Sequence, residues 1–285
     1  MTKSLAFHSY KGGTGKTTLA SNLAAHLAKA GNNVFLLDLD LYAPSMHTYF
    51  NKEPKGWLND FLNNESMDAK DVLYDITSLL RANFGGGTVD GKLYAAFSNP
   101  KKEEINKIEA GGQGSSRLQL LRRFVELREE LVDNYDADYV IIDTSPGIRH
   151  WSINALAVAD TILLTLKMGD LDVSGTRKMA EEIYSSFTDF GAKSYLLMNR
   201  VAGFCVPNAN LQHPDHISPD GGSMSNSPDQ LSRLSSEVGM AILSAIPCYC
   251  DIQFSEKEFL TILQFPNHPF AKQIEFLAND KHIKN

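Results

Sequence analysis

The sequence predicts an α/β domain with a doubly wound, mostly parallel sheet and helices on both faces. Three observations carry that reading. Apolar runs of strand length alternate with stretches of helical periodicity. The runs are continuously apolar, as strands buried on both faces of a parallel sheet require. The polar residues of chemical interest stand at the C-terminal ends of those runs, where open parallel sheets bind their ligands.

The elements follow in order. Leu5-Ala6-Phe7 reads as the first strand and leads straight into a glycine-rich loop. Thr17 to Ala30 reads as a helix: Leu19, Leu23 and Leu27 share one face, and Gly31 stops it. Val34 to Leu37 is the second buried strand. Strands are further expected over Lys92–Phe97, Tyr139–Ile142, Thr161–Leu166, Tyr195–Met198 and Ala241–Ile246, with helices over Leu118–Tyr135 and Thr176–Phe187. Gly85-Gly86-Gly87 and Gly111-Gly112 mark irregular stretches. Residues 203–230, rich in Pro, Asn, Ser, Gly and Asp, read as a long polar excursion whose composition favours disorder.

Composition sets the outer bounds. With 285 residues, 43% hydrophobic and 21% charged, the chain supplies one large core, and residues 1–285 are expected to form a single domain. A net charge of −7 argues against a surface coated for nucleic acid, though not against a local basic patch. The three cysteines, Cys205, Cys248 and Cys250, are too few for a disulfide framework and fit a reducing cytosol. No apolar run reaches the length of a membrane span or a secretion signal, so a cytoplasmic protein is expected.

The chemistry begins at Gly12-Gly13-Thr14-Gly15-Lys16-Thr17-Thr18, set between a strand and a helix. Glycines let the backbone wrap around phosphates and present its N–H groups, and the following helix start adds its dipole. Lys16 would reach the terminal phosphates, and the Thr17 hydroxyl would ligate Mg²⁺. The first position of the usual pattern is Tyr10 rather than glycine. Asp143 ends the apolar run Tyr139-Val140-Ile141-Ile142, placed to hold a metal shell through water. Asp38 and Asp40 lie two apart at the end of the second strand, on one side of it. One could support the metal shell and the other orient an attacking water.

The loop Lys11-Gly12-Gly13-Thr14-Gly15-Lys16-Thr17-Thr18 resembles the deviant phosphate loop of the ParA/MinD ATPases, defined by an extra early lysine, here Lys11. Asp38-Leu39-Asp40 followed by Ala43-Pro44-Ser45 is similar to the family's switch I, in the form closest to its Mrp branch. Asp143-Thr144-Ser145-Pro146-Gly147 is similar to switch II. Asn199-Arg200 and Ile246-Pro247 are similar to the segments that border adenine. The resemblance covers roughly residues 3–200 and 241–265 and implies a mechanism. Two subunits sandwich two ATP molecules, and Lys11 reaches the partner's phosphates. Asp40 positions water, while Asp38 and Asp143 support Mg²⁺ with Thr17 as the direct ligand. Thr18 contacts the α-phosphate, and Asn199, Arg200 and Pro247 hold the base. The implied protein is a slow ATP-dependent homodimer switch, accelerated by a protein activator or cargo adaptor, that positions DNA, a division apparatus or a surface assembly.

An alternative is a metal or iron–sulfur carrier of the Mrp branch. Cys248-Tyr249-Cys250 would then bind metal, but the spacing is CxC where that branch has CxxC, and small side chains packing at the pocket edge are the plainer reading. Cys205, His213 and His216 form a looser set. Arg117, Arg122, Arg123 and Arg128 could meet DNA, yet Glu126, Glu129 and Glu130 on the same helix favour a mixed-charge solvated face. Phe270, Ile274 and Leu277 near the C-terminus fit core packing better than a membrane anchor. Trp151, after switch II, reads equally as a partner contact or a core residue.

Overall fold

The computed structural model describes residues 2–82, 91–109, 117–184, 192–201, 228–253, 255 and 260–284. Its eight strands are β1 (Lys3–His8), β2 (Asn33–Leu39), β3 (Tyr74–Asp75), β4 (Lys92–Ala96), β5 (Tyr139–Thr144), β6 (Thr161–Leu166), β7 (Lys193–Val201) and β8 (Ile242–Pro247). They form one sheet in the order β3-β4-β2-β5-β1-β6-β7-β8, parallel throughout except for β3. The glycine-triplet stretch, residues 111–112 and most of the polar excursion lie outside the described residues.

Helices cover both faces. They are α1 (Lys16–Lys29), α2 (Met46–Tyr49), α3 (Leu58–Asn63), α4 (Ser78–Ala82), α5 (Lys102–Glu109), α6 (Arg117–Tyr135), α7 (His150–Leu156), α8 (Asp170–Met179), α9 (Pro228–Val238), α10 (Cys250–Gln253), α11 (Thr261–Gln264) and α12 (Pro269–Ala278). The strands divide their side chains by parity. Phe35, Leu37, Val140 and Ile142 enter the core layer shared with α6, while Val34, Leu36, Tyr139 and Ile141 enter the layer shared with α1 and α12. Phe270, Ile274 and Leu277 are buried in that second layer, so the apolar face of α12 is spent on the core.

Parity also aims the acidic residues. In β2 and β5, Asp38 and Asp143 are register partners and continue the odd-even pattern of the α1 layer. Both carboxylates therefore arrive on the face from which α1 departs.

One helix expectation needs correction. The helix expected from Thr176 starts at Asp170 and gives way to a π-helical turn over Ala180–Tyr184. Gly175 inside it is a packing device: a Cβ there would lie 2.1 Å from Tyr10 Cε1. The short edge strand β3 and helices α2, α3, α4 and α7 have no counterpart in the sequence reading.

One buried histidine links the fold to pH. His8 is fully buried at the end of β1, with Nδ1 2.6 Å from Thr144 Oγ1. Thr144 Oγ1 already donates to the Phe7 carbonyl (2.8 Å), so the imidazole N–H is the donor to it. Burial first, and the Lys16 charge second, push the His8 pKa down to about 3. The unfolded chain then binds a proton that the folded chain refuses. Stability is fully present above the unfolded value of 6.5 and is lost progressively as pH falls towards about 3. Urea midpoints measured from pH 7.5 to 5 should fall more steeply in the wild type than in His8→Asn. Equal slopes would assign the loss to other groups, such as His26, which burial also pushes down.

Candidate nucleotide site

The loop between β1 and α1 forms an anion cradle. Gly15 caps α1 with φ 89°, and Gly13 lies at φ 72°, both in the left-handed region that glycine enters without strain. A Cβ on Gly15 would stand 2.5 Å from Asn199 Nδ2. Helix α1 has no side-chain cap and no acidic residue in its first turn, leaving its first amides to an anion. Beneath the loop, Thr14 Oγ1 donates to Thr165 Oγ1 (2.9 Å), which donates to the His8 carbonyl (3.0 Å).

Lys16 is 6% exposed, and its ammonium donates to Ser9 Oγ at 3.0 Å. Burial pulls its pKa down, while Asp143 and Asp40 support the charged form. Thr17 Oγ1 donates to Asp143 Oδ2 at 2.5 Å. Burial pushes Asp143 up to about 7, against the pull of Lys16. Asp38 is raised well above the ordinary range, by burial first and then by Asp143 and Asp40. Asp38 Oδ2 and Asp143 Oδ1 are buried with no hydrogen-bond partner among the described residues.

This arrangement fits Mg²⁺. Two orphaned carboxylate oxygens stand beside a threonine hydroxyl, and burial outweighs the one lysine that would hold Asp143 ionised, so a bound cation would supply the charge they call for. Among the described residues no three His, Cys, Asp or Glu side chains are grouped to hold a metal directly. Mg²⁺ usually keeps several waters and takes phosphate oxygens as ligands, so the carboxylates would act through water.

The two switch-like segments are tied together. Ser145 Oγ donates to Asp40 Oδ1 at 2.7 Å, and the Ala43 N–H donates to the same oxygen at 3.2 Å. The Arg149 guanidinium lies 3.9 Å above the Tyr42 ring. Asp40 therefore sits past the end of β2, held by one oxygen. Lys11 is 40% exposed at the loop's outer edge, 3.6 Å from Asp172 on α8.

Asn199 and Arg200 close the far wall. Asn199 Nδ2 donates to the Thr14 carbonyl (2.7 Å), and Arg200 donates to the Gly13 carbonyl (3.1 Å). Arg200 has φ 56° at a register irregularity between β7 and β8. A non-glycine residue in that region signals local strain, often at a functional site. Thr18, Asn199, Arg200 and Pro247 line a cavity of 80 Å³ with Tyr249 and Phe270. That is below the roughly 300 Å³ of a ligand pocket, so a base would have to spread these walls.

A family model described as an AAA domain matches residues 2–190, about two thirds of the chain. The chain belongs to the ParA/MinD family of P-loop ATPases. It is 29% identical over 174 residues to the sporulation initiation inhibitor protein Soj of Bacillus subtilis. It is 27% identical over 180 residues to the chromosome partitioning protein ParA of Caulobacter vibrioides. Those alignments cover 59% and 63% of this chain, and 59% and 61% of the relatives, less than two thirds of their length. Among solved structures, the cell division ATPase MinD of Pyrococcus furiosus superposes with a TM-score of 0.68 at 19% identity, covering 98% of this chain and 97% of that one. MinD of Pyrococcus horikoshii, solved with Mg-ADP, gives 0.67 at 17% identity over 98% and 95%. These likenesses establish a shared fold.

Compared with the family pattern, the structure brings Lys16, Thr17, Asp38, Asp40 and Asp143 together at one mouth, with Lys11 on its rim and Asn199, Arg200 and Pro247 on the opposite wall. Sequence reasoning missed Ser9 and Asp172, which hold Lys16 and Lys11, and named Ser145 only within the switch II segment, without its bond to Asp40. A lone serine or a helix-surface aspartate gives no pattern of its own; only the fold shows what they touch.

The cysteine count pointed to no disulfide framework, and Cys250 is nevertheless disulfide-bonded. Cys248 keeps a thiol, which donates to Gln253 Oε1 at 3.1 Å. The CxC motif is thus split between two chemical states. Cys205, His213 and His216 lie outside the described residues. Trp151 is a core residue at 5% exposure. On α6, Arg122 and Arg123 pair with Glu126, and Arg123 stacks on Phe61 at 4.0 Å, a mixed-charge face rather than a basic one. Among the described residues no helix is long and apolar enough to cross a membrane.

Proposed function

We propose that this chain, as one unit over residues 1–285, is an ATP-driven dimerisation switch that positions a cargo. The observation that carries the reading is the half-exposed Lys11 standing beside an assembled Lys16–Thr17–Asp143 cradle. Among the described residues the Lys11 ammonium is tethered only by a partly exposed ion pair to Asp172. Such pairs contribute about 0–1 kcal/mol, so release towards a second subunit costs little.

Within this reading the P-loop amides and Lys16 bind the β- and γ-phosphates of ATP, and Thr18 the α-phosphate. Thr17, with Asp38 and Asp143 through water, would hold Mg²⁺, and the ion would neutralise charge on the phosphate oxygens. Asp40 orients water with the carboxylate oxygen that Ser145 leaves available. As the water O–P bond forms, the bond from phosphorus to ADP breaks. Lys11 from the partner and Lys16 stabilise the added charge on the oxygens. Asn199, Arg200 and Pro247 border the adenine.

The partition relatives support a cargo borne on DNA, reached through a protein activator or adaptor. A membrane role has less support, because the apolar face of α12 is buried. The metal-carrier alternative loses ground with Cys250 in a disulfide.

Light scattering with and without MgATP, on Asp40→Ala protein analysed for metal, tests the proposal. A nucleotide-dependent shift from monomer to dimer without iron or zinc is expected. A constitutive dimer carrying stoichiometric metal would overturn it in favour of the carrier. Lys11→Ala should lower turnover about 1,000-fold, the scale of a trans-acting arginine finger, with ATP affinity changed only a few-fold. Unchanged turnover would remove the trans-acting lysine.

A further inference from the structure

We propose that the end of the sheet remote from the phosphate loop carries a second ligand site, for a soluble organic phosphate bearing at least two negative charges. A cavity of 790 Å³ opens there, lined by Lys3, Arg128, Lys193 and Lys281, with Val125 and Val158 among its apolar walls. The cations come from four separate places: the starts of β1 and β7, the middle of α6 and the turn after α12. They are therefore gathered by the fold and are not one helix's solvated face. In a chain of net charge −7, such a concentration opposes the overall balance.

Among the described residues one carboxylate, Asp160, lines the cavity, and it is already engaged. Asp160 accepts the Ser4 N–H at 2.7 Å and lies 3.6 Å from Arg128. Arg128 is further fixed by donating Nε–H to Ser4 Oγ at 2.9 Å, which orients its fork. Lys193 and Lys281 have no carboxylate partner among the described residues, and Lys3 donates to the Lys284 carbonyl at 3.0 Å. Burial, then the nearby charge of Lys193, lowers the pKa of Lys3, against the opposing pull of Asp160 and Asp280. The four cations outnumber these carboxylates, and an anion would offset the excess. The volume falls in the range of about 300–1,000 Å³ typical of small-molecule sites, and apolar walls beside the cations suit an organic body carrying phosphate.

This site is independent of the nucleotide cradle, and the test keeps the two apart. Calorimetry first saturates the wild type with MgADP; AMP and pyrophosphate are then titrated, with NMR shifts locating the response. Saturable binding of at least one probe is expected, with shifts at Lys3, Val158 and Lys193. Lys193→Glu with Lys281→Glu, both at exposed positions, should weaken it by about tenfold or more, while the corresponding arginine pair retains it. Non-saturable binding, or binding indifferent to charge reversal, would overturn the proposal. So would sedimentation with phosphoinositide vesicles without binding of either soluble probe, which would move the ligand to a lipid headgroup. If MgADP itself fails to bind, the cradle reading falls while the titration on the nucleotide-free protein still decides the second site.

Discussion

Replacing Lys16 by alanine is expected to abolish measurable nucleotide hydrolysis and most nucleotide binding. Lys16 is almost completely buried and reaches Ser9 Oγ, so its ammonium is already dry and aimed when phosphate arrives. A charge-assisted contact of this kind contributes about 1.5–3 kcal/mol, or roughly 10- to 150-fold in affinity. Loss of its stabilisation of the transition state should remove a further factor of about 100–1,000 in turnover. The variant should fold, because the ammonium makes no hydrogen bond to the core beyond Ser9 among the described residues. Circular dichroism and calorimetry with MgATP would check both points. Near-wild-type affinity in a folded Lys16→Ala protein would mean that the loop amides alone hold the phosphates.

Asp40→Ala should have the second-largest effect, of a different kind. Asp40 stands outside β2, anchored by Ser145 and the Ala43 amide through one oxygen. Its tie to the cradle is the field it exerts on Lys16 and Asp38, with no hydrogen bond to Lys16 or Thr17 among the described residues, so MgATP affinity should change only a few-fold. Turnover should fall by about 100- to 10,000-fold, the usual contribution of a group that handles the attacking water's proton. The ATP-bound dimer should then accumulate, since binding is retained and the exit step is lost. Ser145→Ala should give a smaller loss, because it loosens Asp40 without deleting it. Fast turnover in Asp40→Ala would transfer the role to another residue.

Much of the fold was legible because parallel strands are buried on both faces. Continuous apolar runs such as Tyr139–Ile142 and Thr161–Leu166 have no other comfortable environment, and their observed spans differ from the expected ones by a residue or two. The extension of β7 to Val201 was less legible, because the polar Asn199 and Arg200 interrupt the apolar run before the buried Val201. Strand β3 has two residues and α7 seven, too short for any periodicity to emerge. The start of α8 was hidden by Gly175, a residue chosen for Tyr10's ring and not for the helix.

The sequence by itself determined the chemistry of the phosphate loop, since glycines, a lysine and a threonine between a strand and a helix have few other uses. It also determined that acidic residues would stand at strand ends, because a charge closes a buried run. Tertiary structure alone decided which atoms meet. The register of β2 against β5 sets Asp38 beside Asp143, and the loop after β5 brings Ser145 to Asp40. Helix α8 brings Asp172 to Lys11, and the turn after α12 brings Lys281 to the cations of β1 and β7. Such contacts join residues up to 281 positions apart, as Lys3 meets the Lys284 carbonyl. Local propensity and periodicity carry no information over such separations; only packing of the completed sheet does.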